Sequence, residues 1–255
     1  MASLRRFIHM RESNTTLRAI ARRRLFEACL IAAFACKSLE GGGFVDVNLY
    51  PELTEENRDS VFTVNLFSSL PGRFHYFSLT NIINRGADSE FSGDYHYYTE
   101  QNLRWAIRED QPWDLTTQWN FRSGKDKERI RFGARWRLSD ARPLESFFES
   151  IHLTYSVNFH LVQLDHEDAD VWQMEHAFRK TFPEVSDRIY LAGFVDHTFG
   201  EDLDDRFPDS PIVGEVQFGC RLSGNWNLVA EYRVNEYRRS STSNLGLGVQ
   251  YLYRW

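Results

Sequence analysis

The chain has 255 residues, a formal net charge of −6 and a mean hydropathy of −0.49. That length suits one domain, the acidic balance argues against nucleic acid as a partner, and no run of about eighteen apolar residues follows the first forty, so no helix there is long enough to span a membrane. Aromatic residues make up 15% of the chain, which in a water-soluble domain would mean a large aromatic core.

Residues 1–40 differ from the rest. Arg18, Arg22, Arg23 and Arg24 precede a mostly apolar stretch from Leu25 to Cys36, and Ala33-Phe34-Ala35 is an A-x-A-like cleavage site. This pattern predicts a secretory signal peptide. Glu27 interrupts the apolar stretch and the basic region is long, with Met10 as a second start; a short soluble helix is the alternative. Cys36 directly after Ala35 would suit an acylated lipoprotein, but Ala33 and Phe34 do not suit the positions before it. Of the 3 cysteines, only Cys220 lies clearly beyond the leader, so no internal disulfide is expected. Without the leader the chain is more acidic still.

After Gly41-Gly42-Gly43 the chain divides into about twelve segments separated by turn signals: 44–50, 60–68, 73–83, 95–108, 113–123, 128–138, 148–161, 170–181, 188–198, 212–222, 226–237 and 244–255. Most alternate with the period of two that a β-strand imposes on its side chains. Leu103, Trp105 and Ile107 oppose Asn102, Arg104 and Arg108. Trp113, Leu115, Trp119 and Phe121 oppose Asp114, Gln118, Asn120 and Arg122. Ile130, Phe132, Ala134 and Trp136 oppose Arg129, Arg131, Arg135 and Arg137. In 148–161 the polar set includes His152 and His160. Val216, Phe218 and Cys220 oppose Glu215, Gln217 and Arg221, and Trp226, Leu228 and Tyr232 oppose Asn227, Glu231 and Arg233. The last segment sets Leu245, Leu247, Val249, Tyr251, Tyr253 and Trp255 against Gly246, Gly248, Gln250 and Arg254. Segments 44–50 and 188–198 alternate poorly, and nothing after residue 44 reads as a helix of normal length.

A strand with one apolar face that closes on Trp255 resembles the last strand of bacterial outer-membrane β-barrels. Connection lengths point the same way. Ser69 to Gly72, Glu109 to Pro112, Pro183 to Asp187 and Ser223-Gly224-Asn225 form one set of short turns, with Ser139 to Phe147 a longer member. The set 51–59, 84–94, 124–127, 162–169, 199–211 and 238–243 is mostly longer and more polar. Short turns at one end and long loops at the other are expected of such barrels. The predicted fold is therefore an all-β antiparallel transmembrane barrel of about twelve strands (ten to twelve) over 44–255, preceded by the leader and linker 1–40. A soluble sandwich, or a soluble ligand-holding barrel with its apolar face inward, would show the same alternation.

In the membrane reading, Trp105, Trp113, Trp119, Trp136, Trp226, Tyr251, Tyr253 and Trp255 fall on the apolar face, many near strand ends, as an aromatic girdle does. The opposite face supplies a charged lumen lining: Glu100, Arg104, Arg108, Asp114, Arg122, Arg131, Arg135, Arg137, Glu215, Arg221, Glu231 and Arg233. It either selects a small polar solute or forms a salt-bridged filling.

The run Gly200-Glu201-Asp202-Leu203-Asp204-Asp205 and the cluster Asp165-His166-Glu167-Asp168 are acidic, but neither has the spacing of a calcium loop. No metal site and no cofactor is expected. A membrane-embedded acyl hydrolase would need His and Ser together on the lipid face; parity puts His176 there without a matching Ser, and no nucleophile elbow, zinc spacing or phosphate loop occurs. The function expected is a passive channel rather than an enzyme, with a secreted soluble binding module or a lipid-modifying enzyme as alternatives. Gly193-Phe194 followed by Gly200 to Asp205 resembles a stretch of the nucleoside-specific channel family (Tsx-like), whose resemblance implies an outer-membrane channel; none of that family's recognition residues has a matching position here. The location implied is the outer membrane of a Gram-negative bacterium. The partners implied are outer-membrane lipid, the barrel-assembly machinery through the C-terminal strand, and a small polar solute.

Overall fold

The alternating segments are strands in the computed structural model, which describes residues 41–51, 59–85, 95–123, 128–164, 170–238 and 242–255. In chain order they are β1 (Gly43–Tyr50), β2 (Asp59–Leu70), β3 (Phe74–Arg85), β4 (Tyr95–Ala106), β5 (Trp113–Arg122), β6 (Arg129–Arg137), β7 (Leu153–Leu164), β8 (Trp172–Phe182), β9 (Ser186–Phe199), β10 (Ile212–Ser223), β11 (Trp226–Asn235) and β12 (Ser243–Arg254). Each pairs antiparallel with its sequence neighbours. β1 also pairs with β12, from Phe44 opposite Arg254 to Leu49 opposite Val249, so the sheet closes into a barrel. Closure satisfies the backbone groups that an open edge would expose. The leader and the Asp165–Asp168 cluster lie outside the described residues.

Because strand side chains alternate, the pairing register fixes a single inner and a single outer face around the ring. The inner face is polar and buried: Asn102, Asp114 and His160 have no exposed surface. The outer face is apolar and open: Leu115 is 49% exposed, Leu161 59% and Leu247 50%. A water-soluble domain has the opposite arrangement. One irregularity preserves it. At Phe132/Gly133 the register with β7 shifts, so Leu161 and Val162 both face outward and Gln163 returns inside opposite Arg131.

Strands β1 and β9 alternate poorly in sequence for identifiable reasons. In β9 the inner positions include Tyr190, Ala192 and Phe194, so both faces are largely apolar. In β1 the inner residues are Phe44, Asp46, Asn48 and Tyr50, a mixed set.

The expectation that nothing after residue 44 forms a helix of normal length needs correcting, because one connection holds a helix of 9 residues. This helix, α1, spans Arg142–Ser150 within the connection from β6 to β7. Pro143 sits in its first turn, where a missing N–H costs nothing. Leu144, Phe147, Phe148 and Ile151 recur at helical spacing and form one apolar stripe. Phe147 and Phe148 resemble the start of an alternating strand, which is why the segment 148–161 begins five residues before β7. Phe148 is buried and stacks on Tyr155 of β7; Phe147 beside it is exposed. His152, expected inward on that strand, lies instead in the turn before β7 at a φ of 51° and faces Glu184 at 3.2 Å.

The connections segregate by length. At one end β2–β3, β8–β9 and β10–β11 are joined by a few residues each; Gly224, at a φ of 52°, makes the tight β10–β11 turn possible. The loops at the other end are mostly longer, up to 200–211.

Candidate functional site in the barrel interior

Twelve strands about 4.8 Å apart and tilted about 40° enclose a backbone cylinder roughly 24 Å wide. Within that width long side chains of strands several places apart in the ring reach one another. Arg104 of β4 stands 3.9 Å from Glu175 of β8. Glu175 also faces His160 at 3.8 Å and accepts a hydrogen bond from Asn158 at 3.3 Å. These groups form the centre of a polar wall carried by β4 to β9.

Around it the charged lining is matched closely. Arg135 donates to Asp114 at 2.6 Å from Nε, and Arg137 lies 3.5 Å from the same carboxylate and 3.0 Å from Asp140. Arg131 donates to Gln163 at 2.8 Å and to Gln118 at 3.0 Å. Glu100 accepts from Tyr98 at 3.0 Å and Asn102 at 2.7 Å. Arg104 also lies over the Phe77 ring, 5.5 Å from its centroid.

A second cluster occupies the wall of β9 to β1. Tyr50 donates to Glu231, which also receives Arg233, and the Arg233 guanidinium lies 4.4 Å from the centre of the Tyr50 ring. Gln217 donates to Tyr50 at 2.6 Å and Asn48 at 3.2 Å. The Tyr190 hydroxyl sits 2.5 Å from Gln250 and 2.8 Å from Gln217. Glu215 is opposite Arg233 in the register.

Inner-face glycines make these contacts possible. Tyr50 reaches over β12 to Glu231 because Gly246 and Gly248 leave the wall bare there; a Cβ on Gly246 would meet the Tyr50 ring at 3.1 Å. Gly219 lies directly under the Tyr190 ring. Gly133 on β6 opens the wall between Gln118 of β5 and His160 of β7, whose side-chain nitrogens are 3.5 Å apart. Glycine in a strand marks such close approaches.

Ten of the twelve residues expected in the lining sit on the inner face by register: Glu100, Arg104, Asp114, Arg122, Arg131, Arg135, Arg137, Glu215, Glu231 and Arg233. Arg122 ends β5 at the long-loop end. Two differ. Arg108 lies beyond the end of β4, exposed in the turn and paired with Asp110 at 3.1 Å; the alternation continues in sequence past Ala106, the last paired residue. Arg221 has inner-face parity but sits at the barrel mouth, exposed and paired with Asp187 at 2.9 Å. The sequence reading missed Tyr50, Glu175, Tyr190, Gln217 and Gln250. Only Tyr50 and Tyr190 stand against glycines, Gly246, Gly248 and Gly219; Glu175, Gln217 and Gln250 face side chains of other strands.

On the outer face the aromatic residues gather at the two ends. At the short-turn end Trp113 stacks on Trp136 at 5.4 Å, Phe74 lies against Trp105 at 6.3 Å, Trp226 meets Tyr251 edge-on at 5.0 Å, and Tyr253 stacks with Trp255 at 6.3 Å. Toward the loop end lie Tyr97 and Trp119, with Trp172 stacked on Phe199 at 4.2 Å. Trp172 is a member the sequence list lacked. Along β4 eight residues separate Tyr97 from Trp105, and along β5 six separate Trp119 from Trp113, about 15–20 Å along the barrel axis. That approaches the roughly 25 Å apolar height of an outer-membrane barrel.

His176 does face outward. Its Nδ1 is 2.5 Å from the Tyr155 hydroxyl, and the Tyr155 ring is covered in turn by Phe148. The Tyr155 hydroxyl and His176 Nδ1 therefore satisfy each other. In the acidic loop, Glu201 takes Arg129 at 3.0 Å and the Tyr237 hydroxyl, tying the loop to the ends of β6 and β11. Burial, then the bond to Glu201, holds the Tyr237 phenol above the usual tyrosine range. Arg206 is raised by its hydrogen bond to Asp204, 2.7 Å from Nε. Among the described residues, no group of three His, Cys, Asp or Glu side chains could hold a metal ion.

No protein-family model matches the chain, and no curated protein matches it. Among solved structures, the KdgM porin is similar over 82% of this chain and 98% of its own, at 10% identity and a TM-score of 0.46. An outer-membrane channel from Pseudomonas putida F1 is similar over 85% and 96%, at 12% identity and 0.42. The translocator domain of the autotransporter NalP from Neisseria meningitidis is similar over 83% and 86%, at 10% identity and 0.37. Likeness at this level carries no argument about function. The barrel rests on its own strand pairing.

Proposed function

We propose that the protein is an outer-membrane β-barrel of a Gram-negative bacterium and a passive channel for a small polar solute. The observation that carries this reading is the inversion of the two faces: a buried ring of Arg, Asp, Glu, Asn and Gln inside, and an apolar belt bounded by two aromatic rings outside. Lipid tolerates the second and only an aqueous or ion-matched interior tolerates the first. Residues 1–40 serve as the export signal, and β12, which closes the ring, presents itself to the assembly machinery. The likeness of Gly193-Phe194 and Gly200 to Asp205 to the nucleoside-specific channels makes a nucleoside one candidate solute.

Arg131, Arg135 and Arg137 line one wall of this interior, so replacing all three by Gln leaves Asp114 unmatched there. The reversal potential in a planar bilayer under a salt gradient is expected to move toward cation selectivity, with an unheated gel confirming the folded barrel. An unchanged reversal potential refutes a lining role for these arginines.

The contact between Arg104 and Glu175, with Tyr50 and Tyr190 lying across the opposite wall, favours a second reading: a barrel with a filled interior that works through its loops. It predicts a folded protein, found in the outer-membrane fraction, with no conductance.

A further inference from the structure

At the short-turn end of the barrel a cavity of about 410 Å³ opens between the ends of β8, β9, β10 and β12. Its lining includes Arg179, Arg188, Arg221 and Arg254, and its one carboxylate is Asp187. Asp187 is engaged by Arg221 at 2.9 Å. Arg179 lies 4.0 Å from the centre of the Tyr190 ring, which is buried and is the β9 lining residue furthest from the short-turn end. Arg188 and Arg254 are exposed and have no ion-pair partner among the described residues. Arg179, Tyr190 and Arg254 belong to the inner face by register, so the cavity opens into the barrel mouth and not toward lipid.

Elsewhere in the interior the arginines are met by carboxylates or amides. Here Arg179 has only the nearby Asp46 carboxylate to offset it, and Arg188 and Arg254 share the same concave wall with no ion-pair partner among the described residues. A concave wall of one sign focuses potential and concentrates counter-ions, and guanidinium forks match carboxylate and phosphate oxygens two at a time. We propose that this cavity binds a small multivalent oxyanion, a di- or tricarboxylate or a phosphate ester. As a way station for the transported solute it rests on the channel reading above; as a binding site it does not.

The test uses the full chain, folded in detergent, titrated with citrate and with pyrophosphate in a calorimeter at low salt, with glucose as the neutral comparison. Saturable binding of either anion is expected, weakened by added NaCl and weakened at least tenfold in R188Q/R254Q. Both positions are exposed at strand ends, so the folded barrel should survive, and R188Q alone serves if the pair does not fold. Failure of both anions to bind, or equal binding by the variant, overturns the proposal. Bilayer conductance is measured separately. Binding without conductance removes the channel reading and leaves the cavity; conductance without binding removes the cavity and leaves the channel.

Discussion

Arg104 and Glu175 stand 3.9 Å apart inside the barrel although β5, β6 and β7 lie between their strands. Both side chains are about nine-tenths buried. A carboxylate there is stable because Arg104, His160 and Asn158 all face it, and a guanidinium there is stable because the carboxylate is.

Removing one partner should therefore cost more than removing both. Breaking a buried pair from one side destabilises by about 3–5 kcal/mol, whereas exchanging both partners for apolar groups is often near neutral. E175Q is expected to lower the urea midpoint of the barrel in lipid vesicles, and R104M/E175L to recover most of the loss. A double variant as unstable as the sum of its singles would show that the two groups do not stabilise each other.

The bare patches on the inner wall make a second prediction. Tyr50 occupies the space above Gly246 and Gly248, so G246V drives two methyl groups into its ring. Overpacking of this kind costs about 1–3 kcal/mol. Y50A with G246V should regain stability relative to G246V, because the space is then empty. Equal midpoints for the single and double variants would mean that the ring does not fill that gap in solution. Y50A alone should enlarge single-channel conductance if the pore passes beneath Tyr50.

Phe218, midway along β10 and 45% exposed, lies on the outer face. An arginine near the bilayer midplane costs about 2–4 kcal/mol. F218R should therefore lose about that much in vesicle unfolding, while in a water-soluble barrel the same change on an exposed position would be nearly neutral. A negligible effect in vesicles would contradict a lipid-facing belt.

Which way a side chain points was readable from the chain. The alternation of Ile130, Phe132, Ala134 and Trp136 with Arg129, Arg131, Arg135 and Arg137 leaves two choices of face, and the pairing observed assigns them as expected. Local errors have local causes. Phe147, Phe148 and Ile151 carry helical spacing and strand-like apolarity together, so the end of α1 reads in sequence as the start of β7. Arg108 continued an alternation whose ladder stops at Ala106.

What meets what inside the ring was not readable. Parity is a property of neighbours two apart in one strand, and it survives any tilt or closure. The meeting of Arg104 with Glu175, of Tyr50 with Glu231, or of Arg188 and Arg254 around one cavity depends on strand stagger and the bulge at β7, which are set only when all twelve strands close together. Glycine carries no side chain to announce itself in an apolar–polar pattern. Gly246, Gly219 and Gly133 acquire their purpose only when a tyrosine or a glutamine–histidine pair from other strands fills the space they leave.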